Sequence, residues 1–181
     1  MSIPKIIHYC WVGPNPIPEK ELECIRSWKK YLPEYELMFW NEKTFDISSN
    51  IFSKQAYEAK YYAFVSDYIR TKVLYEYGGI YLDTDVEIID NLDEILVKGN
   101  CFLGFESRSK IGTAMMGFTA KHDVMGKFMN YYMNNDFQDA KGRYIVQEEI
   151  TICKEKGEGY LWDTFTKPKE NNNKQYEQVA F

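Results

Sequence analysis

The sequence predicts a mixed α/β sheet flanked by helices. Segments of strand and of helix character alternate through residues 1–120, the pattern of strands linked by helical crossovers. Gly78-Gly79 divides the longest helical stretch from an apolar run of strand character, and glycine accepts the backbone conformation that closes a helix. With 181 residues, 45% of them apolar, the chain is long enough to bury the core of a single domain.

Ile3 to Val12 is apolar and rich in strand formers and reads as the first strand. Gly13-Pro14-Asn15-Pro16-Ile17-Pro18 breaks it with a loop. Open α/β sheets bind ligands at the carboxyl ends of their strands, so Trp11 stands near a ligand-facing edge. Glu19 to Tyr31 reads as an amphipathic helix with Leu22, Ile25, Trp28 and Leu32 on one face, stopped by Pro33. Tyr35 to Trp40 is the second strand, and Asn41-Glu42 lies at its ligand-facing end, with Asn41 read as a turn cap in preference to a base or ribose ligand. A polar loop over 46–50 leads to a helix from Ser53. Beyond the centre of the chain follow a short helix or turn at 91–99, a strand at 101–106, a polar loop at 107–110 and a strand at 113–119. His122 to Asn134 is helical, with Val124, Phe128, Tyr131 and Tyr132 as its apolar positions. A helix at 145–156, an exposed loop at 167–174 and a last strand at 176–181 complete the expectation.

The informative stretch is Ala63 to Asp85. Ala59, Tyr62, Ala63, Ser66, Ile69, Val73 and Tyr77 recur at three and four residues, which predicts a shared helix face. Arg70 falls within it, and a guanidinium in an apolar stripe is costly without a partner. Asp67, three positions earlier, is placed to touch Arg70 or to converge with it on one ligand. After the glycine pair, Ile80 to Ile88 alternates as a strand does, predicting Asp83 and Asp85 on the same side. Two carboxylates held close repel, and a cation or a shared proton offsets that repulsion. Together these features describe a site for a metal and a polyanion.

The run Ala63, Ser66-Asp67, Arg70, Leu74, Gly78-Gly79, Tyr81, Asp83, Asp85 resembles the signature of the DXD sugar-transferring family, glycosyltransferase family 32, which includes capsular-polysaccharide glycosyltransferases and Golgi mannosyltransferases. Ile3-Pro4-Lys5-Ile6-Ile7-His8 with Trp11 resembles the family's opening strand, and the resemblance extends to Lys121. A lone DxD is common, whereas the full spaced set is specific. The resemblance implies an A-type glycosyltransferase fold, a single Rossmann-like mixed sheet flanked by helices. It also implies one nucleotide-sugar-binding catalytic domain over 1–181, shorter at its C-terminus than the family pattern. Trp162, with Tyr160 and Phe165, is the aromatic candidate to cover the donor there.

The implied activity is that of a retaining hexosyltransferase in polysaccharide (for example capsule) biosynthesis. It would use a UDP- or GDP-sugar donor and a saccharide or lipid-linked acceptor. The implied cofactor is Mn²⁺ or Mg²⁺: a divalent ion stabilises charge on the leaving diphosphate, and hard carboxylate oxygens suit it. By the same resemblance, Asp85 contacts the metal and Asp83 holds ribose or sugar hydroxyls and a metal-bound water. Asp67 and Arg70 bind donor sugar hydroxyls, with Arg70 also reaching phosphate, and Ser66 touches base or ribose. Trp11 either stacks on the base or packs in the core. Tyr81 and His8 are read as structural, His122 as a surface residue, and Glu106 as a candidate facing the acceptor or the anomeric carbon. No residue stands out as a covalent nucleophile, which favours same-face attack.

Net charge −5 argues against nucleic acid as a partner. The 15 Tyr and 11 Phe suit a stacking site and an ordinary core equally. Cys10, Cys24, Cys101 and Cys153 lack CxxC spacing and read as buried thiols of a reducing compartment. The opening residues lack the apolar core of a signal peptide, and no run approaches the ~20 apolar residues that span a bilayer. A cytoplasmic protein is therefore expected, with peripheral contact at the inner face of the membrane where the acceptor is lipid-linked. A DxD phosphatase needs Thr or Val where Glu87 stands, and an EF-hand needs Gly where Ile88 stands. A non-catalytic nucleotide-sugar-binding protein is the remaining alternative.

Overall fold

The computed structural model describes residues 2–97, 99–105, 111–137, 160–161 and 179–180. In chain order its elements are β1 (Ile6–Cys10), α1 (Glu19–Tyr31), β2 (Glu36–Trp40), a 3-10 turn (Ile47–Ser49), α2 (Ile51–Glu58), α3 (Tyr62–Tyr77), β3 (Gly79–Leu82), β4 (Glu87–Ile88), α4 (Asp93–Leu96), β5 (Cys101–Phe105), β6 (Ile111–Phe118), α5 (Asp123–Asn134), β7 (Tyr160–Leu161) and β8 (Val179–Ala180). Among the described residues the main sheet has the order β2-β1-β3-β6-β5-β7. β2, β1 and β3 run parallel, β6 is antiparallel to β3 and β5, and β7 is parallel to β5. β4 and β8 form a small ladder of their own. This is the mixed sheet the sequence predicts. The positions read as a helix at 145–156, the loops at 107–110 and 167–174, and Glu106, Cys153, Trp162 and Phe165 lie outside the described residues.

Helices cover both faces. Ile7, Ile80, Leu82 and Phe102 point to one side, where they meet Ile25 and Trp28 of α1 and Ile95 of α4. Cys10, Tyr81, Leu103 and Met116 point to the other, against Ile69 and Val73 of α3 and Val124 and Phe128 of α5. The alternation along each strand is the ordinary period of two. α1 spans the predicted residues, with Glu19 and Glu21 in its first turn and Lys29 and Lys30 in its last, matching the helix dipole.

α3 departs from the expected face. Its buried residues are Val65, Tyr68, Ile69, Arg70, Thr71, Val73 and Leu74, whereas Ala63 and Tyr77 are exposed and Ala59 closes α2 instead. The helix packs against β1, α2 and α5, so it is apolar on several sides and shows no single stripe. His122 is also corrected. It is buried, caps α5 by accepting the Val124 N–H at 3.3 Å, and meets the Phe118 ring edge-on.

The turn from α3 into β3 requires its glycines. Gly78 has φ 66° and ψ −167°, and Gly79 has φ 104°. A Cβ on Gly78 would lie 2.5 Å from the backbone nitrogen of Ala120. Gly78→Ala should therefore destabilise the fold by at least ~1–3 kcal/mol, the cost of the backbone conformation alone. A urea-unfolding midpoint equal to wild type would show that the corner relaxes freely. Beneath this corner lies His8, fully buried. Its Nδ1 accepts the Trp40 indole N–H at 3.1 Å, which leaves Nε2–H to donate to the Gly78 carbonyl at 2.8 Å. Burial lowers its pKa to about 4. His8 is the core histidine the sequence suggests.

β1 is flanked by β2 on one side and β3 on the other. The chain thus leaves β1 toward one edge and returns on the opposite side, the switch point at which open α/β sheets bind ligands. Trp11 follows β1, Asn41 and Glu42 follow β2, and Asp83 follows β3.

Candidate active site

The Asp pair is brought together by a turn, not by the pleat of a strand. β3 ends at Leu82, and the Val86 N–H closes a turn on the Asp83 carbonyl at 3.1 Å. The predicted strand over 80–88 is corrected accordingly. Ile80, Tyr81 and Leu82 are all buried, because this interior strand is covered by helices on both faces. The polar run Asp83-Thr84-Asp85 then turns the chain, as Asp and Thr favour. Both sides of the turn are tied down. The Asp83 N–H donates to Ala114 of β6 at 2.8 Å. The Trp28 indole of α1 donates to the Val86 carbonyl at 2.7 Å, and the Ile88 N–H donates to Ser27 Oγ at 2.9 Å.

Arg70 is the hub. Its Nη2 lies 3.3 Å from Asp67 and 3.1 Å from Asp83. Its Nη1 donates to the Thr113 carbonyl at 2.8 Å and to Thr113 Oγ1 at 3.0 Å. The guanidinium lies 4.6 Å above the Tyr81 ring, and the Tyr81 hydroxyl meets Cys10 Sγ at 3.3 Å. The Asp67–Arg70 contact is the one the sequence predicts. Its convergence with Asp83, Tyr81 and Thr113 is new, and Thr113 carries no local signal that would have singled it out.

Burial pushes the Asp83 carboxyl above its usual range, opposed by Arg70 and reinforced by the charges of Asp85 and Asp67. One guanidinium against three carboxylates leaves negative charge in excess, a setting that favours a cation. Asp85 itself is exposed at the turn. Among the described residues no group of three or more His, Cys, Asp or Glu is arranged to hold a metal alone. Asp83 and Asp85 are hard oxygen donors that could supply one or two ligands to a divalent ion, with phosphate and water as the others.

Ser66 is half-buried and donates to the Tyr62 carbonyl at 3.2 Å. Trp11 is half-buried, and its indole donates to the Asn15 carbonyl at 2.8 Å. Asn41 Oδ1 accepts the N–H groups of Lys43 and Thr44, the turn cap expected of it. Tyr160 pairs with Phe102 as part of β7. The structure thus gathers Asp67, Arg70 and Asp83 into one cluster, sets Asp85 on the turn that follows Asp83, and places Trp11 on the neighbouring strand end.

Residues 18–102 match a family model described as the glycosyltransferase sugar-binding region containing the DXD motif. A second model, described as a Cache domain, matches residues 112–181. That span begins inside β6, whose pairing with β3 and β5 makes it part of the same sheet. The chain is 35% identical over 128 residues to inositol phosphoceramide mannosyltransferase 3 of Schizosaccharomyces pombe, over 68% of this chain and 35% of that protein. It is 30% identical over 163 residues to an uncharacterized glycosyltransferase of Acanthamoeba polyphaga mimivirus, over 82% of this chain and 65% of that protein. The chain thus spans 35% and 65% of the lengths of these two curated relatives. Among solved structures, the PaToxG glycosyltransferase shares the fold with a TM-score of 0.64, over 85% of this chain and 69% of that one, at 19% identity. The spaced signature, the turn that carries Asp83 and Asp85, and the matched region agree: residues 18–102 are those that match the glycosyltransferase sugar-binding region containing the DXD motif.

Proposed function

We propose that residues 1–181 form one catalytic unit that moves a hexose from a UDP- or GDP-sugar to a lipid-linked or saccharide acceptor, with retention of configuration. The observation that carries this reading is the Arg70-centred cluster of Asp67 and Asp83, with Asp85 on the adjoining turn, at the switch point of the sheet. A bound Mn²⁺ or Mg²⁺ would offset the charge of the departing diphosphate. Asp85, exposed at the turn, would reach that ion, with Asp83 beside it. The Asp83 and Asp67 carboxylates are already ion-paired with Arg70, which would leave their other oxygens for sugar or ribose hydroxyls and makes either a poor covalent nucleophile. Same-face attack follows as the route to retention. The same engagement disfavours the phosphatase reading, in which Asp83 would attack phosphorus.

A lipid-linked acceptor is supported by the similarity to an inositol phosphoceramide mannosyltransferase of Schizosaccharomyces pombe, and a capsular or other polysaccharide acceptor is the saccharide counterpart. In this reading the reaction lies at the cytoplasmic face of a membrane. Cys10 and Cys24 are buried free thiols, which supports a reducing compartment.

The test is a thermal-shift screen of UDP- and GDP-hexoses with and without Mn²⁺, followed by a nucleoside-diphosphate release assay. A donor at a hundredfold excess over its Kd stabilises by about 2.7 kcal/mol. Asp85→Asn should melt like wild type, because Asp85 is exposed, and should lose the Mn²⁺-dependent part of the shift. Undiminished metal dependence in this variant would remove Asp85 from the site. Donor binding without diphosphate release, with water or with any acceptor, would favour a non-catalytic nucleotide-sugar-binding protein.

A further inference from the structure

We infer that Glu42 is a positioning residue for the base end of the donor pocket: its carboxylate holds the loop after β1 in the shape that presents Trp11 to a nucleotide base. The inference rests on the donor-binding reading above and adds a residue to it. In the β1–β2 register Cys10 lies beside Trp40, and the Trp11 N–H donates to the Trp40 carbonyl at 3.1 Å. The loop leaving β1 therefore starts alongside Asn41 and Glu42.

Three contacts then shape this loop. The Gly13 N–H donates to Glu42 Oε1 at 2.6 Å. Gly13 has φ 105°, and a Cβ there would come within 2.8 Å of the Tyr62 ring at the start of α3. Beyond it, the Trp11 indole closes back on the Asn15 carbonyl at 2.8 Å. Tyr57 of α2 stands near the same Glu42 carboxylate, and its ring lies 5.5 Å from that of Tyr62. One side chain thus ties the end of β2 to the loop after β1, while Tyr62 of α3 walls the loop from behind.

A single backbone shape is specified at Gly13 by a left-handed φ, a ring and a carboxylate at once. A surface loop that only connected β1 to α1 would need none of these. The bond to an ionised acceptor is stronger than a neutral one, and a loop ordered before its ligand arrives spares the ordering cost at binding. Trp11 is the aromatic side chain that this order holds in place, at the carboxyl end of β1 where the base end of a nucleotide would lie.

The experiment uses the full chain with Glu42→Ala and Glu42→Gln. It measures hydrogen exchange at the Gly13 amide, the Kd for UDP and for GDP with Mn²⁺, and donor KM and kcat. Losing a charge-assisted bond should raise the Kd and donor KM of Glu42→Ala about tenfold, with a smaller change in kcat and faster exchange at Gly13. Glu42→Gln keeps an oxygen that accepts the Gly13 N–H and should restore both exchange protection and KM toward wild type. A Kd unchanged in Glu42→Ala, or lost equally in both variants, would overturn the positioning role while leaving the donor site standing. Failure of the wild-type protein to bind UDP or GDP would overturn the donor reading and this role with it.

Discussion

Arg70→Met should lower stability at neutral pH by about 1–3 kcal/mol, the cost of leaving hydrogen-bonding partners without their donor and less than for a fully buried ion pair because Asp67 and Asp83 are partly exposed, and slow sugar transfer by roughly a hundredfold or more, the scale of losing one preorganised charge donor. Methionine fills much of the same space over Tyr81 but leaves the Asp83 carboxylate without its cation and the two Thr113 acceptors without their donor. The pH dependence separates stranded charge from lost packing. The Asp83 carboxyl is already held above its usual range by burial, against Arg70, and removing Arg70 raises it further. A group whose folded pKa is raised destabilises the fold above that pKa and ceases to do so below its unfolded value. The stability gap between variant and wild type should therefore narrow as pH falls through the raised Asp83 pKa toward 3.8. Urea unfolding at several pH values and a diphosphate-release rate on the same preparation make the measurement. A stable variant with wild-type turnover would show that the hub is dispensable. Asp67→Asn is the control. Arg70 then keeps Asp83 at 3.1 Å and both Thr113 bonds, so folding should change little while transfer falls.

His8 should make the fold acid-sensitive over a defined window. Its folded pKa is lowered to about 4 from 6.5 by burial, because the cation cannot be solvated there and its Nδ1 is needed as an acceptor for Trp40. The folded state binds fewer protons than the unfolded chain between these values. The stabilisation is complete above pH 6.5, is lost progressively as pH falls toward 4, and amounts to about 3 kcal/mol in total. His8→Gln supplies one donor to the Gly78 carbonyl and one acceptor to the Trp40 indole with no titration. The difference between wild-type and Gln unfolding free energies should therefore change with pH across this window and flatten above it. A constant difference from pH 7 to pH 4.5 would place the titration elsewhere.

These two residues also show where sequence reasoning reaches its limit. The Asp67–Arg70 pair was legible because both partners lie on one helix three residues apart, a spacing that chemistry alone makes adjacent. α1 was legible to its ends because it is exposed on one face and buried on the other, and Pro33 stops it. The Gly78-Gly79 corner was legible because its backbone conformation excludes other residues.

By contrast, the burial of α3 was misread, because a helix packed on several sides has no single apolar stripe. The Asp83–Asp85 strand was misread for the related reason that a short strand covered on both faces shows no reliable alternation. Thr113 lies 43 residues from the guanidinium it holds, and Glu42 lies 29 residues from the Gly13 N–H it binds. By itself the sequence determined the alternation of elements, the glycine corner and the identity of the charged residues at the site, since each of these rests on local conformation or spacing. Only the tertiary structure decided which acceptors surround Arg70, how the Asp pair is brought together and which carboxylate holds the Trp11 loop. Those contacts depend on the strand order β2-β1-β3-β6, which no local periodicity encodes.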